Sequence, residues 1–335
     1  MTSPSAFRAF RIHNDDAGYR GGLESMGADA LSAGEVLVQV AYSSINYKDA
    51  LAGTGKGKIL RQYPLNGGID VAGHVVASTD PAFKEGDAVL CTGSGLSETR
   101  DGGYGEYARL SSKWTIALPK GLSLRESMII GTAGFTAALA LLRMQDNRQT
   151  PSMGPLAVTG ATGGVGMLAI DIFTRAGYVV HAISGKAAHF DFLRDLGAAE
   201  CIDRHQLAFS GKPMDSVRFG GALDNVGGAM LAGLLPLMAP YGNVAICGNA
   251  GGIGLETTVM PFIIRGASLL GIASAGTARD IRDRVWELLS GEWKPQHLER
   301  IATREVSLEQ LPEVFNRMLT GESFGRTVVR IGQMV

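Results

Sequence analysis

The chain lacks several features that would each indicate a particular class of protein. Three cysteines in 335 residues, Cys91, Cys201 and Cys247, are too few and too far apart for a disulfide framework or a structural zinc site. Basic and acidic side chains number 31 and 32, so no long-range field favours nucleic acid or an anionic membrane. No apolar run reaches about 18 residues, and residues 1–10 lack the pattern of a signal peptide. We therefore expect a soluble cytoplasmic protein without nucleic-acid or membrane partners.

Glycine, in contrast, is abundant. It supplies 46 of the 335 residues, roughly twice the usual share of about 7%. Because glycine tolerates positive φ and close approach of the backbone, this excess predicts many tight turns and ligand-binding loops. The length predicts roughly two domains.

The pattern of strands and helices changes along the chain and predicts an α/β protein. The first third alternates turns with strands rich in Val, Ile and aromatic residues, predicted at 35–45, 69–78, 87–92 and 114–118, which indicates a β-rich, partly barrel-like domain. A long apolar helix follows over residues 128–144, interrupted by Gly131 and Gly134. From Pro155 onward, strands alternate with helices, which indicates a doubly wound parallel sheet. The predicted strands of that sheet are residues 156–159, 179–183, 222–226, 244–247 and 269–272.

The C-terminal segment returns to helices and one last strand. Ile281, Val285, Leu288 and Leu289 recur at helical spacing and predict an amphipathic surface helix. Ser307 and Gln310 have the spacing of a capping box, before a helix whose apolar face carries Leu311, Phe315 and Met318. We interpret residues 327–331 as a strand that rejoins the first domain. The predicted domains are therefore residues 1–124 with 275–335, and residues 125–274.

A glycine-rich loop follows the first strand of the parallel sheet. Gly160, Gly163 and Gly166 stand at three-residue steps between a strand and a helix. Such glycines allow a tight turn, approach of the backbone to a pyrophosphate, and close packing of helix on strand. We interpret the loop as a dinucleotide site rather than a structural turn.

The end of the next strand indicates which coenzyme binds. NAD-binding proteins place an acid there to hold the ribose 2′-hydroxyl, but this chain has Ser184, Gly185 and Lys186. A hydroxyl and a cation suit a 2′-phosphate, and Arg204 after the following strand adds a second cation. The alternative is that both cations are solvated surface residues. We predict NADPH as the cofactor.

The order of domains, the glycine-rich loop and the segment at 184–186 resemble the medium-chain dehydrogenase/reductase superfamily, in its zinc-free quinone oxidoreductase branch. Five further blocks are Asn46-Tyr47-Lys48-Asp49-Ala50 and residues 54–58 (TGKGK), 68–70 (GID), 128–137 (MIIGTAGFTA) and 258–263 (TVMPFI). These blocks resemble the acrylyl-CoA reductase (NADPH) group of that branch. The resemblance implies a GroES-like catalytic domain beside an NADPH-binding Rossmann domain. It also implies reduction of the activated C=C bond of acrylyl-CoA to propionyl-CoA.

The chain departs from the zinc enzymes of this superfamily. Asn46 stands where a first Cys ligand would be, and Ile69 and Asp70 replace a His-Glu pair. The loop after Cys91 holds no further cysteine, and His74 is interpreted as a packed side chain rather than a ligand. We therefore expect no metal, so the redox chemistry must rest on the nicotinamide.

The candidate catalytic residues follow the strand that ends at residue 45. Without a metal, an enolate oxygen needs hydrogen-bond donors, and Asn46 and Tyr47 lie where the domain should face the nucleotide loop. The resemblance places Tyr47 against the cofactor, as proton donor, as a stacked structural tyrosine, or as both. Asp70 could orient Asn46 or Lys48, or serve only the structure.

The resemblance also implies further cofactor contacts and a homodimer. Residues 162–165 should hold the pyrophosphate, and the strand at 269–272 should extend the sheet of a second subunit. The remaining expected contacts reach the nicotinamide end and close the C-terminal side. All the expected contacts of the loop and of that end are Thr162, Gly163, Gly164, Val165, Gly248, Asn249, Ile263, Ser274 and Arg326.

A basic segment follows the candidate catalytic residues. Lys56, Lys58 and Arg61 could meet the phosphates of a CoA thioester, or could form a solvated loop. Two alternatives to the acrylyl-CoA reductase remain open from the sequence. One is an NADPH:quinone oxidoreductase, and the other is an NADPH-binding protein without turnover.

Overall fold

The computed structural model describes residues 5–332, which form two compact units. The first contains residues up to 132, residues 275–286 and residues from 298 onward; the second contains residues 133–274 and 287–297. The division thus falls after residue 132 rather than 124, and residues 287–297 belong to the second unit rather than the first. Asp171 explains the latter difference, because its carboxylate accepts the backbone N–H groups of Gln296 (3.1 Å) and His297 (2.8 Å).

The first unit is built mainly of antiparallel strands. Its strands are β1 (Phe7–Asp15), β2 (Gly18–Met26), β3 (Val36–Ile45), β4 (Leu65–Asn66), β5 (Asp70–Ser78), β6 (Ala88–Thr92), β7 (Tyr107–Leu110), β8 (Ile116–Ala117), β15 (Arg304–Val306) and β16 (Thr327–Arg330). Its helices are α1 (Tyr47–Thr54), α8 (Leu298–Ile301) and α9 (Leu311–Leu319). A three-stranded sheet has the order β2-β1-β4, and a larger sheet has the order β15-β16-β3-β5-β6-β8, with β7 also paired to β3.

The C-terminal strand completes the larger sheet of the first unit. Strand β16 runs antiparallel to β3, with Thr327 opposite Ile45 and Arg330 opposite Tyr42. This pairing confirms the prediction that the chain rejoins its first domain. Sequence analysis missed the β1–β2 hairpin, because β2 is exposed along nearly its whole length and shows no alternation of buried residues.

Helix α9 packs against the hydrophobic core of the first unit. The predicted capping box is present, since the Ser307 backbone N–H donates to Oε1 of Gln310 at 3.0 Å. Leu311 and Phe315 are buried, and Phe315 meets Phe10 edge-to-face at 5.7 Å between ring centroids. Met318 packs against the same cluster, so the predicted apolar face is confirmed.

The second unit contains a parallel six-stranded sheet. Its strands are β9 (Leu156–Thr159), β10 (Val180–Ser184), β11 (Glu200–Asp203), β12 (Phe219–Asp224), β13 (Met238–Ile246) and β14 (Ser268–Gly271). Their order in the sheet is β11-β10-β9-β12-β13-β14. Counted in chain order, this is the 3-2-1-4-5-6 arrangement of the doubly wound dinucleotide fold, which confirms the predicted class. The helices are α3 (Gly164–Arg175), α4 (Phe190–Asp195), α5 (Gly228–Leu234) and α6 (Met260–Arg265).

Two helices continue from one unit into the other. Helix α2 (Leu124–Asp146) is long and apolar enough to cross a membrane by length and composition, which the sequence analysis did not expect. However, 89% of its most apolar window is buried inside the fold, as in the core helix of a globular protein. Its backbone is non-helical at Gly131, as the sequence indicated. Helix α7 (Arg279–Ser290) buries Arg282, Val285 and Trp286, whereas Ile281, predicted on its apolar face, is exposed.

Candidate active site and nucleotide site

A buried carboxylate organises the candidate catalytic region of the first unit. Asp70 is completely buried at the start of β5. It accepts hydrogen bonds from Ser44 Oγ (2.6 Å), Asn46 Nδ2 (2.8 Å) and Thr132 Oγ1 (2.6 Å), and from the Thr132 backbone N–H. Thr132 follows the non-helical Gly131, so the break in α2 frees this backbone N–H for Asp70. Asp70 therefore orients Asn46 and not Lys48.

Arg326 supplies the positive charge beside Asp70, with Nη2 at 3.8 Å from Oδ2. All five of its N–H donors are engaged, because Nε donates to Ile129 O, Nη1 to Ile45 O and Asn46 Oδ1, and Nη2 to Ser44 Oγ and Met128 O. Burial lowers the pKa of its guanidinium. The guanidinium therefore has no free N–H donor for a cofactor, and the contact of Arg326 with the cofactor stays a prediction.

Asn46 and Asp49 cap the N-terminus of α1. The Asn46 backbone N–H donates to Oδ2 of Asp49 at 2.8 Å, and the Ile69 backbone N–H donates to Oδ1 at 2.9 Å. The two amide hydrogens of Asn46 are taken by Asp49 (3.1 Å) and Asp70 (2.8 Å), so its side chain has no donor free for an enolate oxygen. Burial, and then the charge of Asp70, raise the pKa of Asp49 to about 7.

Tyr47 is the first residue of α1 and directly follows Asn46, which belongs to this hydrogen-bond network. The residue is 47% exposed, and within residues 5–332 its hydroxyl has no hydrogen-bond partner. A rigid helix start thus presents a phenol group outward. Of the three predicted catalytic residues, Tyr47 alone has a polar atom available to a ligand.

The basic segment after α1 forms one side of an open groove of about 480 Å³ in the first unit. Lys58 and Arg61 line this groove together with Lys48 and Glu98, whereas Lys56 is exposed but does not line it. Sequence analysis missed Glu98, which is 37 residues beyond Arg61. The backbone joins the two positions, because the Arg61 N–H donates to Glu98 O at 2.8 Å.

The glycine-rich loop of the second unit has the conformation expected of a dinucleotide site. Gly160 has a φ of 58°, and Gly163 is the N-cap of α3. A Cβ on Gly166 would lie 2.5 Å from Gly160 O and 2.6 Å from Ala161 Cα, so only glycine fits where helix meets loop. The N–H groups at the start of α3 remain available to an anion.

The residues predicted to select the coenzyme lie together at the end of β10. The buried Ser184 Oγ is 3.1 Å from Thr162 Oγ1 and accepts the Lys186 backbone N–H at 3.2 Å. The Arg204 backbone N–H donates to Ser184 O at 3.1 Å, and its Nε lies 2.6 Å from where a Cβ on Gly185 would stand. The structure also brings His205 to the same place, a residue that the sequence analysis did not consider, with Nε2 3.3 Å from Arg204 Nε.

The carboxyl ends of β12 and β13 form the other side of this sheet edge. Asn225 donates from Nδ2 to Thr159 O at 2.7 Å, and its Oδ1 accepts the Cys247 thiol at 3.0 Å. Burial raises the pKa of Cys247 to about 12, so the thiol stays protonated. Gly248 follows in the chain, Asn249 and Ile263 are exposed, and Ser274 is half-buried. Sequence analysis missed Asn225, although it directly follows a buried strand.

The residues where zinc enzymes hold their metal do not fit a zinc ion in this chain. Asn46 and Asp70 are hydrogen-bonded to each other, and Ile69 offers only hydrocarbon. The Cys91 thiol is buried, and burial raises its pKa to about 11, whereas zinc binds the thiolate. In the part of the chain that the structure describes, no three His, Cys, Asp or Glu side chains form a group that could hold a metal.

A β-rich unit and a dinucleotide-type unit define a two-domain dehydrogenase/reductase. Residues 32–120 match the family "Alcohol dehydrogenase GroES-like domain", and residues 164–291 match "Zinc-binding dehydrogenase". The chain belongs to the medium-chain dehydrogenase/reductase superfamily, in the group that contains the relatives below.

Three relatives resemble this chain over nearly its whole length. Acrylyl-CoA reductase AcuI of Ruegeria pomeroyi is 42% identical, over 90% of this chain and 91% of that protein. Quinone oxidoreductase YhfP of Bacillus subtilis is 45% identical, over 92% of this chain and 94% of that protein. Its crystal structure with NAD bound covers 98% of this chain and 100% of that chain with a TM-score of 0.93. The YhdH oxidoreductase from Salmonella enterica in complex with NADP is 42% identical, covers 97% and 100%, and also has a TM-score of 0.93.

Proposed function

We propose that this protein is an NADPH-dependent reductase of the C=C bond of acrylyl-CoA. The observation that carries the proposal is an exposed tyrosine hydroxyl, Tyr47, fixed on a fully hydrogen-bonded scaffold in a relative of acrylyl-CoA reductase. Reduction of an activated C=C bond needs a hydride at the β-carbon, stabilisation of charge on the carbonyl oxygen, and a proton at the α-carbon. The bound NADPH would supply the hydride.

The second unit fits this coenzyme. The start of α3 and residues 160–166 would hold the pyrophosphate through backbone N–H groups and the helix dipole. Ser184, Lys186 and Arg204 would hold the 2′-phosphate, because the backbone N–H groups of Lys186 and Arg204 both bond to Ser184 and no carboxylate occupies the end of β10. Gly248 and Asn249, with Ile263 and Ser274, are the residues we assign to the nicotinamide end.

The first unit would supply the proton. Tyr47 donates its phenolic proton to the α-carbon of the substrate and recovers it from solvent, which its exposure permits. Asn46, Asp49 and Asp70 act as positioning residues, because their hydrogen bonds fix the start of α1 and leave no donor for the substrate. Neither role involves a metal ligand.

Substitution of Tyr47 by Phe tests this assignment. We expect kcat for acrylyl-CoA to fall about 10²-fold, because general acid catalysis contributes on that scale, while NADPH affinity is retained. Tyr241→Phe is the matched control, because Tyr241 is also exposed and lies in the second unit. An unchanged kcat in Tyr47→Phe would remove the proton-donor role and leave only a structural one.

A quinone oxidoreductase is the second candidate, favoured by the 45% identity to YhfP. The two functions separate when purified protein and NADPH are mixed with acrylyl-CoA, crotonyl-CoA and quinones while coenzyme absorbance is followed. The proposal predicts rapid turnover of acrylyl-CoA and slower turnover of the others. Faster turnover of quinones would favour the second candidate.

We further propose a homodimer in a reducing compartment, the cytoplasm. Strand β14 lies at the end of the parallel sheet, and among the described residues no strand pairs with its outer edge. A second copy of β14 would cover that edge. The three free cysteines support a reducing environment.

A further inference from the structure

The groove of the first unit has an unusual arrangement of charge. Three of its lining side chains are cationic, Lys48, Lys58 and Arg61, and a single carboxylate, Glu98, lies among them. Ile59 and Tyr63 add apolar surface to the same lining. Cations beside apolar and aromatic surface suit a ligand that carries both phosphates and a base.

Glu98 neutralises one of these cations in the absence of ligand. Its Oε1 lies 2.5 Å from Lys48 Nζ, and its side chain is only 20% exposed. The hydrogen bond from the Arg61 N–H to Glu98 O ties the backbone of Glu98 to the basic segment, so its carboxylate stays beside the groove. Lys58 and Arg61 are exposed and keep their charges directed to solvent.

We propose that this groove binds the phosphate-bearing end of the CoA thioester and that Lys48 exchanges Glu98 for a phosphate when the ester binds. The inference rests on the proposed function and specifies its substrate-binding surface. A phosphate carries more charge and more acceptor oxygens than a carboxylate, so it competes successfully for Lys48. A ligand without phosphate cannot displace Glu98 from Lys48. Glu98 therefore increases the preference of the groove for ligands that carry phosphate over ligands that do not.

The experiment compares acrylyl-CoA with acrylyl-pantetheine, which lacks the nucleotide and its phosphates. In the wild-type protein, kcat/KM favours acrylyl-CoA. Lys48→Met should lower the ratio of kcat/KM for acrylyl-CoA to kcat/KM for acrylyl-pantetheine about tenfold, as expected for loss of one charge-assisted hydrogen bond. Glu98→Gln should raise the ratio about threefold, because the competing carboxylate is gone. Lys84→Met, an exposed lysine outside the groove, is the matched control and should not alter the ratio.

Salt and a third substrate sharpen the result. The acrylyl-CoA KM should rise with NaCl concentration, more steeply in Glu98→Gln and less steeply in Lys48→Met than in wild type. Acrylyl-dephospho-CoA, which lacks the 3′-phosphate but keeps the pyrophosphate, distinguishes the two phosphate sources. If its kcat/KM lies between those of acrylyl-pantetheine and acrylyl-CoA, the 3′-phosphate contributes part of the binding. If its kcat/KM equals that of acrylyl-CoA, the pyrophosphate accounts for the binding.

Two outcomes would overturn the inference, and they differ from failure of the proposed function. Equal kcat/KM for acrylyl-CoA and acrylyl-pantetheine in the wild type would show that the groove does not recognise phosphates. Ratios that stay constant in both groove variants would show the same. In either case reduction of the acrylyl group would stand, whereas absence of turnover with both esters would refute the proposed function itself.

Discussion

The candidate site of the second unit depends on backbone conformation, whereas that of the first unit depends on side-chain hydrogen bonds. In the second unit the nucleotide loop depends on backbone shape: a positive φ at Gly160, and a contact at Gly166 that leaves no room for a Cβ. In the first unit the scaffold of Tyr47 is a buried hydrogen-bond network of side chains that includes Asn46, Asp70 and Arg326. A local sequence motif records the first kind of site, and only the folded structure reveals the second.

This difference predicts where each unit is most sensitive. Removal of one charge from a buried polar network destabilises the fold, because the charged and polar groups that remain are then buried without their partners. A backbone-defined loop fails when a side chain is added, because the ligand position is then altered. The three predictions below test this contrast, from the largest expected effect to the smallest.

Removal of the Arg326 guanidinium should have the largest effect. Arg326→Met leaves Asp70 buried without its cation, so the free energy of unfolding should fall by about 3–5 kcal/mol. Urea denaturation followed by circular dichroism measures this change. Arg330→Met is the matched control on β16, because Arg330 is exposed, and it should cost about 0.5 kcal/mol or less. Equal losses in both variants would contradict a special role for the buried network.

Addition of one methyl group to the nucleotide loop should come second. Gly166→Ala places a Cβ against backbone atoms of residues 160 and 161, so either helix or loop must shift. We expect destabilisation of about 1–3 kcal/mol and roughly tenfold or greater loss of NADPH affinity, measured by titration of coenzyme fluorescence. Gly254→Ala is the control, since nothing lies within 4 Å of the added Cβ. Unchanged affinity in Gly166→Ala would mean that the loop does not define the nucleotide site.

The choice of coenzyme should show the smallest effect on the stability of the fold and the most selective effect on binding. Lys186→Ala should weaken NADPH binding by about 1.5–3 kcal/mol, the scale of a hydrogen bond to a charged group, and leave NADH binding unchanged. Lys212→Ala, an exposed lysine of the same unit, serves as the control. The same loss for both coenzymes would refute a 2′-phosphate site.

Much of the architecture could be predicted from the sequence because local sterics determine it. The glycine loop, the parallel strands and the capping box at Ser307 each leave a short-range pattern, and the structure contains all three. The break of α2 at Gly131 was also visible as a glycine inside an apolar helix. The β1–β2 hairpin was missed because neither the mostly buried β1 nor the exposed β2 shows the alternation that marks a half-buried strand.

The polar scaffold could not be predicted, because its partners are far apart in the chain. The family resemblance assigned Arg326 to the cofactor, yet the donors of its side chain all point to protein acceptors. Asn46 was predicted to stabilise an oxyanion, but both of its amide hydrogens are taken. No sequence motif indicated a role for Glu98, because it is an isolated acid in a loop. Such pairings depend on tertiary structure, and no spacing rule encodes them.

The position of β16 in the first sheet has a consequence for synthesis of the chain. The Arg326 side chain closes onto Ser44, 282 residues earlier, and β16 is the neighbour of β3. At about 5–20 residues per second, a ribosome needs roughly 15–55 s to span that separation. Until Arg326 is made, the carboxylate of Asp70 has no guanidinium, whereas residues 133–274 and 287–297 of the second unit are made before Arg326. The nascent nucleotide unit can therefore mature first, and the unit that holds Tyr47 waits for the last strand.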